Sequence, residues 1–158
     1  MKKGMYAVLL TAALLSISLS GCSKKAGAQS EQAGSASNGK TSSYHIGIVT
    51  GTVSQSEDDL RGAEKLIEMY GSAKTGGMIQ HITYPDDFMS QQETTITQIA
   101  ALADDPMMKA IIVNQGIPGT AEAFKRVREK RPDILLFAGE PHEDPLVIQA
   151  AADMAISN

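Results

Sequence analysis

Apolar runs of strand length alternate with helix-like segments along residues 45–157. The five runs read HIGIVT, MIQHITY, KAIIVN, ILLFAG and DMAIS, and they begin at residues 45, 78, 109, 134 and 153. The first and third contain the unbroken apolar stretches IGIV and AIIV, which are typical of strands buried on both faces of a sheet. The pattern therefore predicts five β-strands.

The four segments between these runs have apolar residues three and four positions apart, which predicts helices. Their predicted starts are Ser56, Ser90, Thr120 and Asp144, and their predicted ends are Gly71, Asp105, Arg131 and Ala151. The pairs Ser56–Asp59 and Ser90–Glu93 have the spacing of a capping box. The alternation of strand and helix predicts an α/β fold, a doubly wound parallel sheet with right-handed crossovers.

The first residues of the chain have a different pattern. Lys2 and Lys3 precede an apolar run, MYAVLLTAALLSISL, which is followed by Leu-Ser-Gly-Cys at residues 19–22. Because spanning a membrane takes about 20 apolar residues, the short run favours a signal peptide over residues 1–21 and not a transmembrane anchor. Leu-Ser-Gly-Cys resembles the bacterial lipobox, which implies that Cys22 carries lipid and holds the exported protein on the outer face of the cell membrane.

Residues 22–43 contain no large apolar side chain and are rich in Ser, Gly, Ala and Gln. Such a segment buries too little apolar surface to fold, so we predict a flexible tether that begins at the lipidated cysteine. The composition changes at Tyr44, and residues 44–158 have the length of one domain. Because the chain stops directly after the fifth predicted strand, we expect it to be an N-terminal fragment of a longer protein.

The charge of the predicted domain bears on its partners. Residues 44–158 contain nine Lys and Arg against seventeen Asp and Glu, a net charge of −8. A domain of this charge repels polyanions and lacks the basic surface of a nucleic-acid binder. We therefore expect no nucleic-acid partner.

The loops that follow the predicted strands carry the candidate chemistry, because ligands of open α/β sheets bind at the carboxyl ends of the strands. These loops, at residues 51–56, 84–87, 114–118 and 140–143, contain hydroxyls, amides, a phenol, a histidine and carboxylates but no basic side chain. Gly51 is followed neither by the Gly-x-Gly-x-x-Gly spacing of a dinucleotide loop nor by the Gly-Lys of a mononucleotide loop. We therefore do not expect this loop to bind a phosphate group. It is interpreted either as a contact for a small solute or as a turn in which Ser56 only caps the following helix.

Neither a catalytic motif nor a metal motif stands out. The chain lacks a Gly-x-Ser-x-Gly elbow, and no second His or Cys stands at ligand spacing from His142, although Glu140, Glu143 and Asp144 are close to it. We therefore expect no enzyme, cofactor or metal. The basic residues of 125–131 are interpreted as a solvated helix face, with a docking surface as the alternative.

The lipobox, the tether, the motif HIGIVTG and the five-strand alternation together resemble the type I bacterial solute-binding proteins, the extracytoplasmic receptors of ABC importers. Within that superfamily, YHIGIVTGTVSQSEDDLRGAEKLIEMYG is most similar to an uncharacterised lipoprotein family, a domain of unknown function. The resemblance implies two lobes that close on a small polar solute, with residues 44–158 as the first lobe and the second missing. It implies ligand contacts from the loops after strands one, three and four. Carried over by position, they are Thr52, Ser54, Gln55, Asn114, Gln115, Glu140 and His142, with Tyr84 added as a possible stacking platform.

The first strand ends in Thr50-Gly51, where the nucleoside-binding branch of these proteins has an acidic residue, and this argues against a nucleoside ligand. We therefore expect a lipid-anchored receptor that captures a small polar solute for an ABC permease. Two alternatives stay open. One is a surface sensor that presents its ligand state to a membrane receptor without transport, and the other is an extracytoplasmic enzyme on the same scaffold.

Overall fold

The computed structural model describes residues 41–156. The predicted signal peptide, Cys22 and the predicted tether up to residue 40 lie outside the described residues, as do residues 157–158. Within the described part of the chain, no helix is both long enough and apolar enough to cross a membrane.

Strands and helices alternate from residue 45 to residue 156, as the hydrophobic pattern predicts. The strands are β1 (His45–Thr50), β2 (Ile79–Thr83), β3 (Met108–Val113), β4 (Leu135–Gly139) and β5 (Met154–Ile156). The helices are α1 (Val53–Tyr70), α2 (Gln92–Ala101), α3 (Thr120–Lys130) and α4 (Pro145–Ala151), with short 3₁₀ turns at Ala73–Thr75 and Leu102–Asp104.

The strands form one parallel sheet in the order β2-β1-β3-β4-β5. The chain moves from β1 to one edge and then crosses back to the other side of β1, so the strand order reverses between β1 and β3. In open α/β sheets, this reversal opens a crevice beyond the carboxyl ends of the two strands. The candidate loops surround that crevice.

Helices cover both faces of the sheet, which confirms the predicted doubly wound α/β class. On one face, α2, α3 and α4 pack on a core that includes Val49, Ile111 and Leu136. On the other face, α1 packs through Ala63 against Ile48 and Ile79 of β1 and β2. On the α1 face of the sheet, Leu135 of β4 and Met154 and Ile156 of β5 are exposed.

Helix boundaries follow the predicted punctuation at Gly71 and Asp144, whereas the predicted starts at Ser56 and Ser90 are wrong. Gly71 ends α1 with a positive φ of +78°, and the carboxylate of Asp144 accepts a 2.9 Å hydrogen bond from the Leu146 amide at the start of α4. The prediction that Ser90 caps α2 is wrong. Gln91 is the N-cap residue, and the Ser90 hydroxyl bonds to Asp87 instead.

The start of α1 has two parts. A first turn begins at Val53, and the backbone of Ser56 is then extended (φ −158°, ψ 87°) before the helix continues to Tyr70. The Ser56 hydroxyl donates a 2.6 Å hydrogen bond to the carboxylate of Asp59. The predicted start at Ser56 therefore coincides with a kink, and the extra turn brings Gln55 to the edge of the sheet.

Candidate functional site

A cleft of about 430 Å³ opens at the carboxyl edge of the sheet, beside the β1–β3 reversal. Three of the predicted ligand-binding residues line it: Gln55, Gln115 and His142. They come from the first turn of α1, from the loop after β3 and from the loop after β4, so the fold brings together residues from three separate parts of the sequence. The rest of the lining is apolar and consists of Phe88, Met89, Ile117 and Pro118.

Tyr84 supports the cleft from below. Its side chain is 1% exposed, and its hydroxyl donates a 2.8 Å hydrogen bond to Oε1 of Gln115. Burial, together with the nearby charge of Asp59, raises the pKa of Tyr84, so the phenol stays protonated and remains a donor at neutral pH. The prediction of a stacking platform is wrong in this structure, because a buried ring offers no face to a ligand. Tyr84 instead orients the Gln115 amide.

Gly51 allows the tyrosine to reach this position. A Cβ atom at residue 51 would lie 2.9 Å from the Tyr84 hydroxyl oxygen and 2.8 Å from Cβ of Gln55. Both separations are shorter than carbon and oxygen atoms tolerate without displacement. The glycine after β1 is therefore explained by the close approach of two side chains that build the cleft.

Asp86, in the loop after β2, holds the loop after β1. Its carboxylate accepts hydrogen bonds from the hydroxyls of Ser54 (2.6 Å) and Thr52, and its backbone carbonyl accepts a 2.7 Å bond from Nε2 of Gln55. The bonds from Ser54 and Thr52 lower the pKa of Asp86. Thr52 and Ser54, both predicted as ligand contacts, are thus tied to Asp86 and do not line the cleft.

The two other predicted contacts also lie outside the cleft lining. Asn114 borders a smaller cavity of about 260 Å³ on the α1 side of the sheet, together with Thr50 and Asp58. Glu140 has a left-handed backbone (φ +35°), and its amide donates a 2.9 Å hydrogen bond to the carbonyl of Ile156. Of the eight predicted ligand-binding residues, three therefore line the cleft and five do not.

The loop after β4 is fixed by its acidic residues and by Gly116. The carboxylate of Glu143 accepts hydrogen bonds from the amides of Ala121 (3.0 Å) and Gly119 (3.4 Å) at the N-terminus of α3. The Gly116 carbonyl accepts bonds from the amides of His142 and Glu143, at 2.9 and 3.0 Å. Glu143 therefore caps a helix and leaves His142 exposed at the cleft.

Over residues 41–156, no group of three or more His, Cys, Asp or Glu side chains has an arrangement that could hold a metal ion. Glu143 and Asp144, which lie close to His142 in the sequence, are two of the candidate metal ligands. In the structure, both carboxylates accept hydrogen bonds from backbone amides at helix N-termini. Helix capping is the observed use of these two carboxylates.

The apolar wall of the cleft is the part that the sequence reading missed. Phe88 packs edge-to-face against Tyr84 with ring centroids 5.5 Å apart, and Met89 beside it is 62% exposed. The sequence does contain a signal for Phe88 and Met89, because they are two adjacent large apolar residues in the otherwise polar loop YPDDFMSQQ. Met89 and Phe88 line the cleft together with Ile117 and Pro118, and an apolar patch of several neighbouring side chains is typical of a binding surface.

Each basic residue of α3 and its C-terminal end forms an ion pair with a carboxylate. The pairs are Lys125–Glu122, Arg126–Glu93, Arg128–Asp153, Lys130–Asp104 and Arg131–Asp133. Charges that are already paired add little attraction for an outside polyanion. The arrangement favours the interpretation of a solvated helix face.

Comparison with known proteins places the described unit in a family. Residues 44–158 match the family described as "Protein of unknown function (DUF3798)". An uncharacterized protein from Treponema pallidum (strain Nichols) is 50% identical over 117 residues, which cover 73% of this chain and 53% of that protein. A second uncharacterized protein from the same strain is 51% identical over 57 residues, or 36% of this chain and 26% of that protein. The chain thus spans about half the length of the first of these relatives.

Solved structures with a similar fold include the following one. It is described as "Crystal structure of a Putative transcriptional regulator from Clostridium difficile 630", and it is 26% identical in sequence with a TM-score of 0.62. The match covers 71% of this chain and 33% of that one. The likeness supports the α/β architecture described above.

Proposed function

The chain belongs to the DUF3798 family of proteins of unknown function, and on that premise we propose that its α/β unit is the first lobe of an extracytoplasmic solute receptor. Lipid on Cys22 anchors the receptor to the outer face of the bacterial cell membrane, and the receptor supplies a small polar solute to an ABC importer. The cleft lined by Gln55, Gln115 and His142 is the observation that carries this proposal.

The cleft has the properties of a binding site and few of those of a catalytic one. It combines a small number of hydrogen-bonding side chains with an apolar wall, which is the usual composition of a small-molecule pocket. Its volume of about 430 Å³ matches a ligand of a few rings or one short chain. It also lies at the strand-order reversal, where ligands of parallel α/β sheets bind.

The extracytoplasmic part of the proposal rests on the N-terminal sequence. A short apolar run, Leu-Ser-Gly-Cys and a polar segment follow one another in the order expected of a bacterial lipoprotein. The segment that follows Cys22 is rich in Ser, Gly, Ala and Gln, which is the composition of a linker between an anchor and a domain. The match covers 53% of the Treponema relative, so nearly half of that protein lies outside the matched region, which supports a further lobe.

A panel of solutes tests the binding role. Thermal unfolding of the full chain is followed in the presence of sugars, amino acids, nucleosides and small amides, since a ligand that binds only the folded state raises the Tm. We expect a subset of solutes to raise the Tm of the wild-type chain and to lose this effect in Gln115→Leu. Absence of any stabilising solute, or equal stabilisation of the variant, overturns the receptor proposal.

Metabolic labelling tests the anchor separately. Cells that express the full chain are supplied with labelled palmitate, and we expect label in the wild-type protein and none in Cys22→Ser. Label in both, or in neither, contradicts the anchoring role of Cys22.

A surface sensor without a transport role is the second candidate. The similarity to a structure described as a putative transcriptional regulator supports it, because regulation does not require the delivery of a solute. Uptake of the identified solute by cells with and without this protein distinguishes the two. A receptor for an importer is required for uptake, whereas a sensor is not.

A further inference from the structure

Resting on the proposed solute-binding role, we infer that the cleft is built for an uncharged solute with an amide-like group, a carbonyl beside an N–H, joined to a flat apolar part. In both Gln55 and Gln115, a neighbouring residue already forms a hydrogen bond with one end of the side-chain amide, so the other end is available to a solute.

Gln115 offers a donor to the cleft. Its Oε1 accepts the 2.8 Å hydrogen bond from the Tyr84 hydroxyl. In this bond the oxygen of the Gln115 amide faces the phenol, which directs the NH₂ group of the amide away from Tyr84. The NH₂ group of Gln115 is then the part of the amide that a solute meets, and it binds a carbonyl oxygen.

Gln55 offers an acceptor. Its Nε2 donates a 2.7 Å hydrogen bond to the backbone carbonyl of Asp86, which assigns the orientation of this amide in the same way. Its Oε1 is then the atom that a solute meets, and it binds an N–H group. The two glutamines thus present one donor and one acceptor from different loops, and an amide is complementary to both.

The charges around the cleft disfavour an ionic solute. Within the described part of the chain, the residues that line the cleft include no Lys, Arg, Asp or Glu. The nearby carboxylates of Asp86 and Glu143 accept hydrogen bonds from hydroxyls and helix amides. A charged solute would lose hydration and would meet, among these lining residues, only His142 as an ionisable partner, and the cost of that transfer is large.

The opposite wall selects an apolar part of the solute. Phe88, Met89, Ile117 and Pro118 line it, and Phe88 is held edge-to-face by Tyr84. An exposed methionine thioether makes favourable contacts with aromatic rings and adapts to their shape. A flat ring that carries the amide would fill the space between this wall and the two glutamines.

Three probes of nearly equal size test the inference: neutral benzamide, anionic benzoate and cationic benzamidinium, with glucose as a neutral solute without an amide. Each is titrated into the full chain, and binding is read from the NMR signals of the side-chain amides of Gln55 and Gln115. We expect benzamide to shift both signals with an affinity at least about tenfold higher than that of either charged probe or glucose.

Two variants locate the effect. Gln115→Glu keeps an oxygen acceptor for Tyr84 but removes the NH₂ donors, so benzamide affinity falls by at least about tenfold. Gln98→Glu, on the exposed surface of α2, introduces the same change outside the cleft and leaves the affinity unchanged. Unchanged methyl signals of buried Val113 show that both variants are folded.

The outcomes separate this inference from the receptor proposal. If benzoate, benzamidinium or glucose shifts the cleft signals at least as strongly as benzamide, the amide class is wrong and the receptor proposal stands. If no probe shifts them, the amide inference fails, and the receptor proposal depends on the wider solute panel. Equal benzamide affinity in Gln115→Glu also overturns the inference.

Discussion

The hydroxyl of Tyr84 donates a 2.8 Å hydrogen bond to Oε1 of Gln115. Tyr84 follows β2 and Gln115 follows β3, and these strands flank β1 in the sheet. The bond therefore crosses the carboxyl end of the central strand and connects two loops that are far apart in sequence. It sets which end of the Gln115 amide a solute meets.

Removing this hydroxyl tests its structural role. Tyr84→Phe keeps the buried ring and its contact with Phe88 but leaves Oε1 of Gln115 without its donor. We expect the free energy of unfolding to fall by about 0.5–1.5 kcal/mol in urea titrations. We also expect weaker binding of any solute that raises the wild-type Tm, because the Gln115 amide is no longer oriented. Unchanged stability and binding would show that the hydrogen bond orients nothing.

Gly51 and Gly62 form a matched pair. A Cβ atom at residue 51 would meet the Tyr84 hydroxyl at 2.9 Å, whereas a Cβ atom at residue 62 would meet nothing within 4 Å. Gly51→Ala should therefore destabilise the protein by about 1–3 kcal/mol, and Gly62→Ala, inside α1, should stabilise it by about 0.5–1 kcal/mol. Both are measured by urea titration. Similar effects of the two substitutions would contradict the close approach at Gly51.

Glu143 links the cleft loop to α3. Its carboxylate accepts hydrogen bonds from the amides of Ala121 and Gly119, so Glu143→Ala should cost about 0.5–2 kcal/mol of stability, the range for a lost helix cap. Glu143→Gln retains an oxygen acceptor and loses only the favourable interaction of a negative charge with the helix dipole, about 0.3–1 kcal/mol. Denaturant titration of both variants checks this order. A larger loss in the glutamine variant would be inconsistent with capping.

Leu135 and Leu136 test the register of β4. The two are adjacent in sequence, yet Leu136 is 0% exposed and Leu135 is 52% exposed. Leu136→Ala should cost about 2–5 kcal/mol, as expected for a buried leucine, and Leu135→Ala should change stability by no more than about 0.5 kcal/mol. If Leu135→Ala proved as costly as Leu136→Ala in thermal unfolding, something would cover this face of the sheet.

His81 predicts a pH dependence. Burial lowers its pKa, with a smaller opposing effect of Glu64, and its Nε2 lies 2.9 Å from Oγ1 of Thr50. The unfolded chain then binds more protons than the folded one below the ordinary histidine pKa of about 6.5. The contribution of His81 to stability is therefore complete above this pH and is lost as the pH falls toward the lowered folded pKa. His81→Gln should flatten that part of a stability–pH curve, and an unchanged slope would refute the assignment.

The sequence predicts the fold well because its signals are local. Gly71 ends a helix since only its backbone adopts φ +78° at little cost, and Asp144 begins one since its carboxylate reaches an amide two residues ahead. Both effects act within one turn of the chain. Ser90 fails as a cap because Asp87, also local, competes for its hydroxyl.

The site is less predictable because its contacts join distant loops. Ser54 looks like a ligand contact in the sequence, but its hydroxyl bonds to Asp86, 32 residues away. Tyr84 looks like an exposed ring in a polar loop, but the fold buries it beneath Phe88 and Gln115. Periodicity says nothing about such pairings, since they depend on which strands are neighbours and on how the loops close.

Native mass spectrometry of the protein purified from its own cells shows whether the cleft holds a small solute. For the wild-type protein we expect a noncovalent adduct of small-molecule mass, and for Gln115→Leu we expect the same protein without the adduct. A wild-type protein that carries no adduct, or an adduct that persists in Gln115→Leu, would contradict the proposed binding of a small solute in the cleft.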